Sequence, residues 1–144
     1  MDELLNHCTA VYVASPHYTH YDYVKKALLA GKHVLCETPF VFKKGEAEEL
    51  YSIAEERNLV LMVALKTAFC PAFGHLVSLL KSGVIGEIVE VNASNTKLTD
   101  ENSSKLDSSL QGGSMSEHAC FPLLPIFKLL GTDYKDLRFY SKMK

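Results

Sequence analysis

Three short apolar runs separated by single helical stretches constrain this chain more than any other feature. Thr9 to Ala14 (TAVYVA) is apolar and β-branched and stops at Ser15-Pro16, which predicts a strand buried on both faces with a turn at the proline. Thr19 stands three residues before Asp22, as in a capping box, and Tyr21, Val24 and Leu28 recur at helical spacing until Gly31 offers a stop. His33 to Cys36 (HVLC) reads as a second strand, Ala47, Leu50, Tyr51 and Ala54 as a second helical stripe ending near Asn58, and Leu59 to Leu65 (LVLMVAL) as a third strand. Strands joined by single helices of this length need crossover connections, so the first half predicts a parallel sheet with helices on its faces.

The grammar changes after Lys66. Pro71 suits an early helical position, Phe73, Leu76, Val77 and Leu80 form an apolar stripe, and Gly83 closes it. Glu87 to Lys97 partly alternates, like a strand with one wet face. Thr99 to Ser114 is rich in Asp, Ser, Asn and Gly and predicts a mobile loop. Leu123 to Leu130 is apolar nearly all round, which predicts a deeply buried helix ending at Gly131, and Leu137 to Met143 alternates as a last strand. The fold class expected is therefore α/β: a partial Rossmann-type parallel sheet over residues 1–65, then the beginning of a second α/β domain over 66–144.

Composition narrows the function classes. Hydrophobic residues make up 47% of the 144 and charged residues 22%, a globular balance. The net charge is −2, and the basic pairs Lys25-Lys26 and Lys43-Lys44 read as solvated helix faces, so no nucleic acid partner is expected. Cys8, Cys36, Cys70 and Cys120 are widely spaced with no C-x-x-C pair, which points to a reducing compartment. With no signal-like start and no apolar run near 18 residues, no membrane association and a cytoplasmic location are expected.

In a parallel sheet, ligands gather at the carboxyl ends of the strands. Those ends carry Ser15-Pro16-His17-Tyr18-Thr19-His20 and Glu37-Thr38-Pro39. A carboxylate, hydroxyls and two imidazoles there are capable of acid–base work or of orienting a ribose; on spacing alone, the plainer reading that His17 and His20 cap the next helix is favoured. His17 and His20, and Glu117 beside His118, are short-range pairs with no third donor at a recognisable spacing, so no metal site is expected.

Several of these runs together resemble a known family. Ala10-Val11-Tyr12-Val13-Ala14-Ser15-Pro16, then His20, then Ala30-Gly31-Lys32-His33-Val34-Leu35-Cys36-Glu37-Thr38-Pro39 are similar to the glucose-fructose oxidoreductase, inositol dehydrogenase and rhizopine-catabolism family, written Gfo/Idh/MocA. Phe69-Cys70-Pro71-Ala72-Phe73, Ser82-Gly83-Val84-Ile85-Gly86-Glu87-Ile88 and Gly112-Gly113-Ser114-Met115-Ser116-Glu117 follow in the family's order. The resemblance implies a Rossmann domain for NAD or NADP followed by an α/β domain that shapes the site for a sugar, polyol or related substrate and often forms the oligomer. It implies that Ser15, Pro16 and His20 lie along the cofactor near its ribose. Glu37, Thr38 and Pro39 would sit beside the nicotinamide, and Glu117 would approach the substrate.

Two departures bear on catalysis. The family's Glu-Lys-Pro is here Glu37-Thr38-Pro39, which removes a cation and a tunable proton. Its Asp-x-x-x-His is here Glu117-x-x-x-Phe121, which keeps the carboxylate and loses the imidazole. Catalytic candidates are therefore Thr38, Glu117 and Lys66, the last reading equally well as a solvated strand-end lysine. The eight glycines, at 31, 45, 74, 83, 86, 112, 113 and 131, do not form the G-x-G-x-x-G turn that would hold a pyrophosphate. The chain accordingly reads as the middle of a nicotinamide-dependent oxidoreductase without its nucleotide-binding start. Expected consequences are weak dinucleotide binding, little or no activity alone, and self-association into a homo-oligomer; the other reading is a non-catalytic assembly module of the same ancestry.

Overall fold

The computed structural model describes residues 1–100 and 103–140. Its centre is a parallel sheet of β1 (Ala10–Val13), β2 (His33–Cys36) and β3 (Leu61–Val63), ordered β1-β2-β3. A short helix, α1 (Asp2–Leu5), precedes it, and α2 (His20–Leu29) and α3 (Lys44–Glu56) make the two crossovers. Both crossovers step the same way across the sheet, and connections of one hand then lay both helices on one face. That face holds the core: Val11, Val13, Val34, Cys36 and Leu61 from the strands, with Val24, Ala27 and Leu28 of α2 and Leu50 and Ala54 of α3.

The opposite face corrects the expectation of strands buried on both sides. Tyr12, Leu35 and Met62 stand in register across the three strands and are 57%, 40% and 37% exposed. The core strands thus alternate in burial, because helices cover one side only. Gly31 closes α2 with φ +73°, as its position predicts, and Asn58 takes φ +53° after α3. Thr19 does not form the expected capping box: its hydroxyl lies 2.7 Å from both Ser15 Oγ and the Pro16 carbonyl, and no side chain caps α2.

A 3₁₀ turn at Lys66–Phe69 leads into α4 (Pro71–Lys81), with Pro71 in its first turn and Gly83 at φ +80° beyond its end. Glu87 to Lys97 is not a strand, nor is the part of Leu137 to Met143 up to residue 140; residues 141–143 lie outside the described ones. Alternation alone does not make a strand without a neighbour to complete the ladder, and Val89 is 89% exposed. The expected loop over Thr99 to Ser114 holds two 3₁₀ turns, Ser104–Leu106 and Ser108–Leu110, and residues 101–102 lie outside the described ones. The Asp107 carboxylate accepts from Ser109 N and Oγ, while Gly113 N donates to Lys105 O at 2.7 Å. Gly112 is needed there, since a Cβ on it would meet Lys105 O at 2.5 Å.

Two further helices follow, α5 (Ser114–His118) and α6 (Cys120–Leu130). α6 packs against α4 but has no buried residue, contrary to its all-round apolar sequence. Among the described residues no helix is long and apolar enough to cross a membrane.

Candidate active site at the strand ends

The carboxyl ends of β1 and β2 open into two loops that His20 binds together. His20 starts α2 and is fully buried. Its Nδ1 lies 2.8 Å from the Pro39 carbonyl and its Nε2 2.9 Å from the Ser15 carbonyl. A neutral imidazole donates to one of these carbonyls, a protonated one to both. The ring therefore does not cap α2; it fixes Ser15-Pro16 against Glu37-Thr38-Pro39, whose Thr38-Pro39 peptide is cis.

Glu37 continues β2 and is held from two sides. The Tyr12 hydroxyl donates to Oε1, and the Thr38 amide donates to Oε2 at 3.1 Å. Tyr12, then the Thr38 amide and the charges of Lys66 and His20, outweigh desolvation and keep this carboxyl below its usual range. Lys66, exposed in the turn that follows β3, thus lies close enough for its charge to act on Glu37. The Cys36 thiol just before is pushed up to about 12 by burial, which makes it an inert core group.

The later part of the chain reaches this edge at two points. The Thr38 side chain lies beside the Cys120 thiol at the start of α6; burial raises the Cys120 pKa and Thr38 pulls it partly back. Glu117, in α5, has a side chain only 9% exposed; its Oε1 lies 3.0 Å from His17 Nδ1 and its Oε2 3.6 Å from Lys105 Nζ. The His17 contact is out of line for a hydrogen bond, so Oε1 is covered with no aligned donor. Two cavities flank this carboxylate, one of about 220 Å³ beside Pro16, His17 and Tyr18, and one of about 570 Å³ lined by Lys97, Ser103, Ser114 and His118 among others.

Ser15, Pro16, His20, Glu37, Thr38 and Pro39 therefore form one cluster with Lys66 at its border, and Glu117 meets it through His17. Sequence reasoning missed Tyr12, Lys105 and Cys120 as neighbours and took His17 for a helix cap. The alternation of β1 marks Tyr12 as outward-facing, but no local signal marks the other pairings. Among the described residues no group of three His, Cys, Asp or Glu side chains is placed to hold a metal.

A parallel layer with polar loops gathered at its strand ends is the arrangement on which Rossmann-type domains hold their ligands. Residues 1–65 match the oxidoreductase family with an NAD-binding Rossmann fold. The chain is 34% identical over 125 residues to the dTDP-3,4-didehydro-2,6-dideoxy-alpha-D-glucose 3-reductase of Actinomadura kijaniata, covering 86% of this chain and 38% of that one. It is 31% identical over 131 residues to the D-xylose 1-dehydrogenase (NADP(+)) of Hypocrea jecorina, covering 83% and 33%. A crystal structure of the A. kijaniata 3-ketoreductase with NADP and TDP-benzene superposes with a TM-score of 0.82 at 32% identity, covering 91% and 41%. The chain belongs to the Gfo/Idh/MocA family of oxidoreductases. It spans 38% of the length of the A. kijaniata reductase and 33% of the xylose dehydrogenase.

Proposed function

We propose that this chain forms the nicotinamide-side wall and part of the substrate side of an oxidoreductase that moves hydride between NAD or NADP and a hydroxyl or carbonyl of a sugar, polyol or related compound. Residues 1–65 are the C-terminal half of the dinucleotide domain, and residues 66–144 begin the substrate and oligomerisation domain. Ser15, Pro16, His20, Glu37, Thr38 and Pro39 line the cofactor; Thr38, Lys66 and Glu117 face the reacting group. The observation that carries this reading is the joining of both strand-end loops by buried His20 beside a carboxylate, Glu37, held in its charged form.

The residues present fit only part of a dinucleotide. The loops Ser15–His20 and Glu37–Pro39 offer hydroxyls and a carboxylate to a ribose and nicotinamide, yet neither contains a glycine to admit a pyrophosphate against the backbone. When bound, the cofactor supplies the hydride acceptor or donor. In this chain Glu37 presents an acceptor for a hydroxyl, Thr38 presents a hydroxyl, and Lys66 supplies the nearby positive charge. The covered Glu117 Oε1 would be satisfied by a hydroxyl donor in the adjacent cavities.

Calorimetric titration with NADH and NADPH tests the partial site: very weak binding is expected, and micromolar affinity for either would overturn it. In a protein with the complete dinucleotide site, Thr38→Lys is expected to raise dehydrogenase activity by restoring a cation at the reacting hydroxyl. No gain would favour the second reading, a non-catalytic assembly module, which Phe121 and the uncovered apolar faces support.

A further inference from the structure

Oxidising an alcohol releases a proton as well as a hydride, and the proton needs an acceptor that titrates near neutrality. Thr38 and Phe121 stand where the resembling family has a lysine and an imidazole, and neither side chain serves that purpose. One imidazole at this edge is not committed to the backbone. His17 lies in the 3₁₀ turn after β1, directly beyond Pro16, with its side chain 22% exposed.

We propose that His17, held against Glu117, is the acid–base residue of this site and takes over the role of the absent lysine and imidazole. The proposal rests on the hydride-transfer reading above. Glu117 Oε1 is 3.0 Å from Nδ1, and no group among the described residues hydrogen-bonds Nε2. The ring borders the cavity of about 220 Å³ shared with Pro16, Tyr18, Lys105, Leu110 and Gly112. A carboxylate behind one ring nitrogen with the other left for substrate is the arrangement that orients a catalytic imidazole. The Nδ1–Oε1 contact is not yet in line, and such contacts commonly tighten only when substrate is present.

The charges around the ring are consistent with a base. His20 lies edge-on at 5.7 Å between ring centroids, Lys105 bridges to the other Glu117 oxygen, and Glu117 is the anionic partner. Burial lowers the His17 pKa, with Glu117 pulling it back up and His20 and Lys105 pushing it down, a balance that favours the neutral ring a base requires. In the oxidative direction the carbinol C–H bond breaks with its electron pair passing to the oxidised nicotinamide. The hydroxyl proton passes to His17 Nε2, the C=O bond forms, and the imidazolium returns its proton to water. Reduction runs the same steps backwards, with imidazolium as the acid.

Two measurements test this. The first is an NMR titration of the His17 ring in the wild type and in Glu117→Gln, the signal being assigned by its loss in His17→Gln. The His17 midpoint is expected to fall when the carboxylate is removed and to rise in Lys105→Gln; an unchanged midpoint in Glu117→Gln means the pair is absent in solution and overturns the proposal. The second, made in a protein with the complete dinucleotide site, is oxidation of sugars and polyols, D-xylose among them, with NADP+. His17→Gln is expected to lower kcat about 100-fold or more with little change in KM, and to abolish the rise of kcat with pH that tracks the NMR midpoint. A pH profile unchanged in His17→Gln overturns the proposal. No turnover of any of these compounds by that protein with its native His17 defeats the hydride-transfer reading and, with it, catalysis by His17, while the titration separately decides whether the pair exists.

Discussion

Tyr12 and Glu37 join two neighbouring strands on the solvent side of the sheet. Because the folded Glu37 carboxyl is held below its ordinary pKa of 4.5, chiefly by Tyr12, it favours the folded state above its unfolded pKa. That contribution is lost as pH falls through the folded value. Tyr12→Phe is therefore expected to destabilise the chain modestly at neutral pH, with the gap to wild type closing in strong acid. Urea melts at both pH values measure it, and a gap that persists in acid would assign the effect to packing. His20 is a harder case, since leucine would fill its volume but donate to neither carbonyl. His20→Leu should cost about 1–3 kcal/mol for the buried carbonyl left without a donor, seen as a lower urea midpoint; unchanged stability would mean that water reaches Ser15 O or Pro39 O. The loops that carry these residues were legible, since the strand-end rule points straight at them. The partners were not, because whether an imidazole caps its own helix or clamps two loops depends on where the second loop lies.

At the scale of elements, apolar periodicity predicted α2 and α3 together with their buried faces, and for α6 it predicted the helix and its end at Gly131 but not its exposure. Leu50 has no exposed surface, whereas Leu130 is 51% exposed in a helix that is no less apolar. Leu50→Ala should cost about 2–5 kcal/mol, and Leu130→Ala no more than about 0.5 kcal/mol. Thermal or chemical melts compare them directly, and a large loss at Leu130 would reveal that α6 is covered in solution. The failed strands share one cause. Glu87 to Lys97 has suitable alternation, but a strand exists only as part of a ladder, and among the described residues no neighbour pairs with it. The turns at 104–110 escaped notice for the opposite reason: Asp, Ser and Gly mark a loop, yet the same side chains fold it back on itself.

For the molecule as a whole, the sheet leaves an edge and an apolar face uncovered among the described residues. β1 is an edge strand, and Tyr12, Leu35 and Met62 lie bare across the sheet beside it. Edges and apolar faces of this kind invite pairing with another chain. The chain is therefore expected to self-associate at low micromolar concentration. Sedimentation velocity distinguishes this from a monomer, and a single monomeric species with a cooperative melt would show that water suffices to cover the edge.

In the first half, the order of the three strands and the two crossover helices, their parallel arrangement, the stop at Gly31 and the polar loops at the strand ends followed from the sequence alone. These depend on interactions within a few residues, on periodicity, backbone freedom and the length of a crossover, all of which are local. Which sheet face is covered, whether α6 is buried, and that His17 meets Glu117 while Thr38 meets Cys120 were decided only in three dimensions. Contacts between residues so far apart in the chain depend on which surfaces converge after the helices have docked, and no local pattern encodes that convergence.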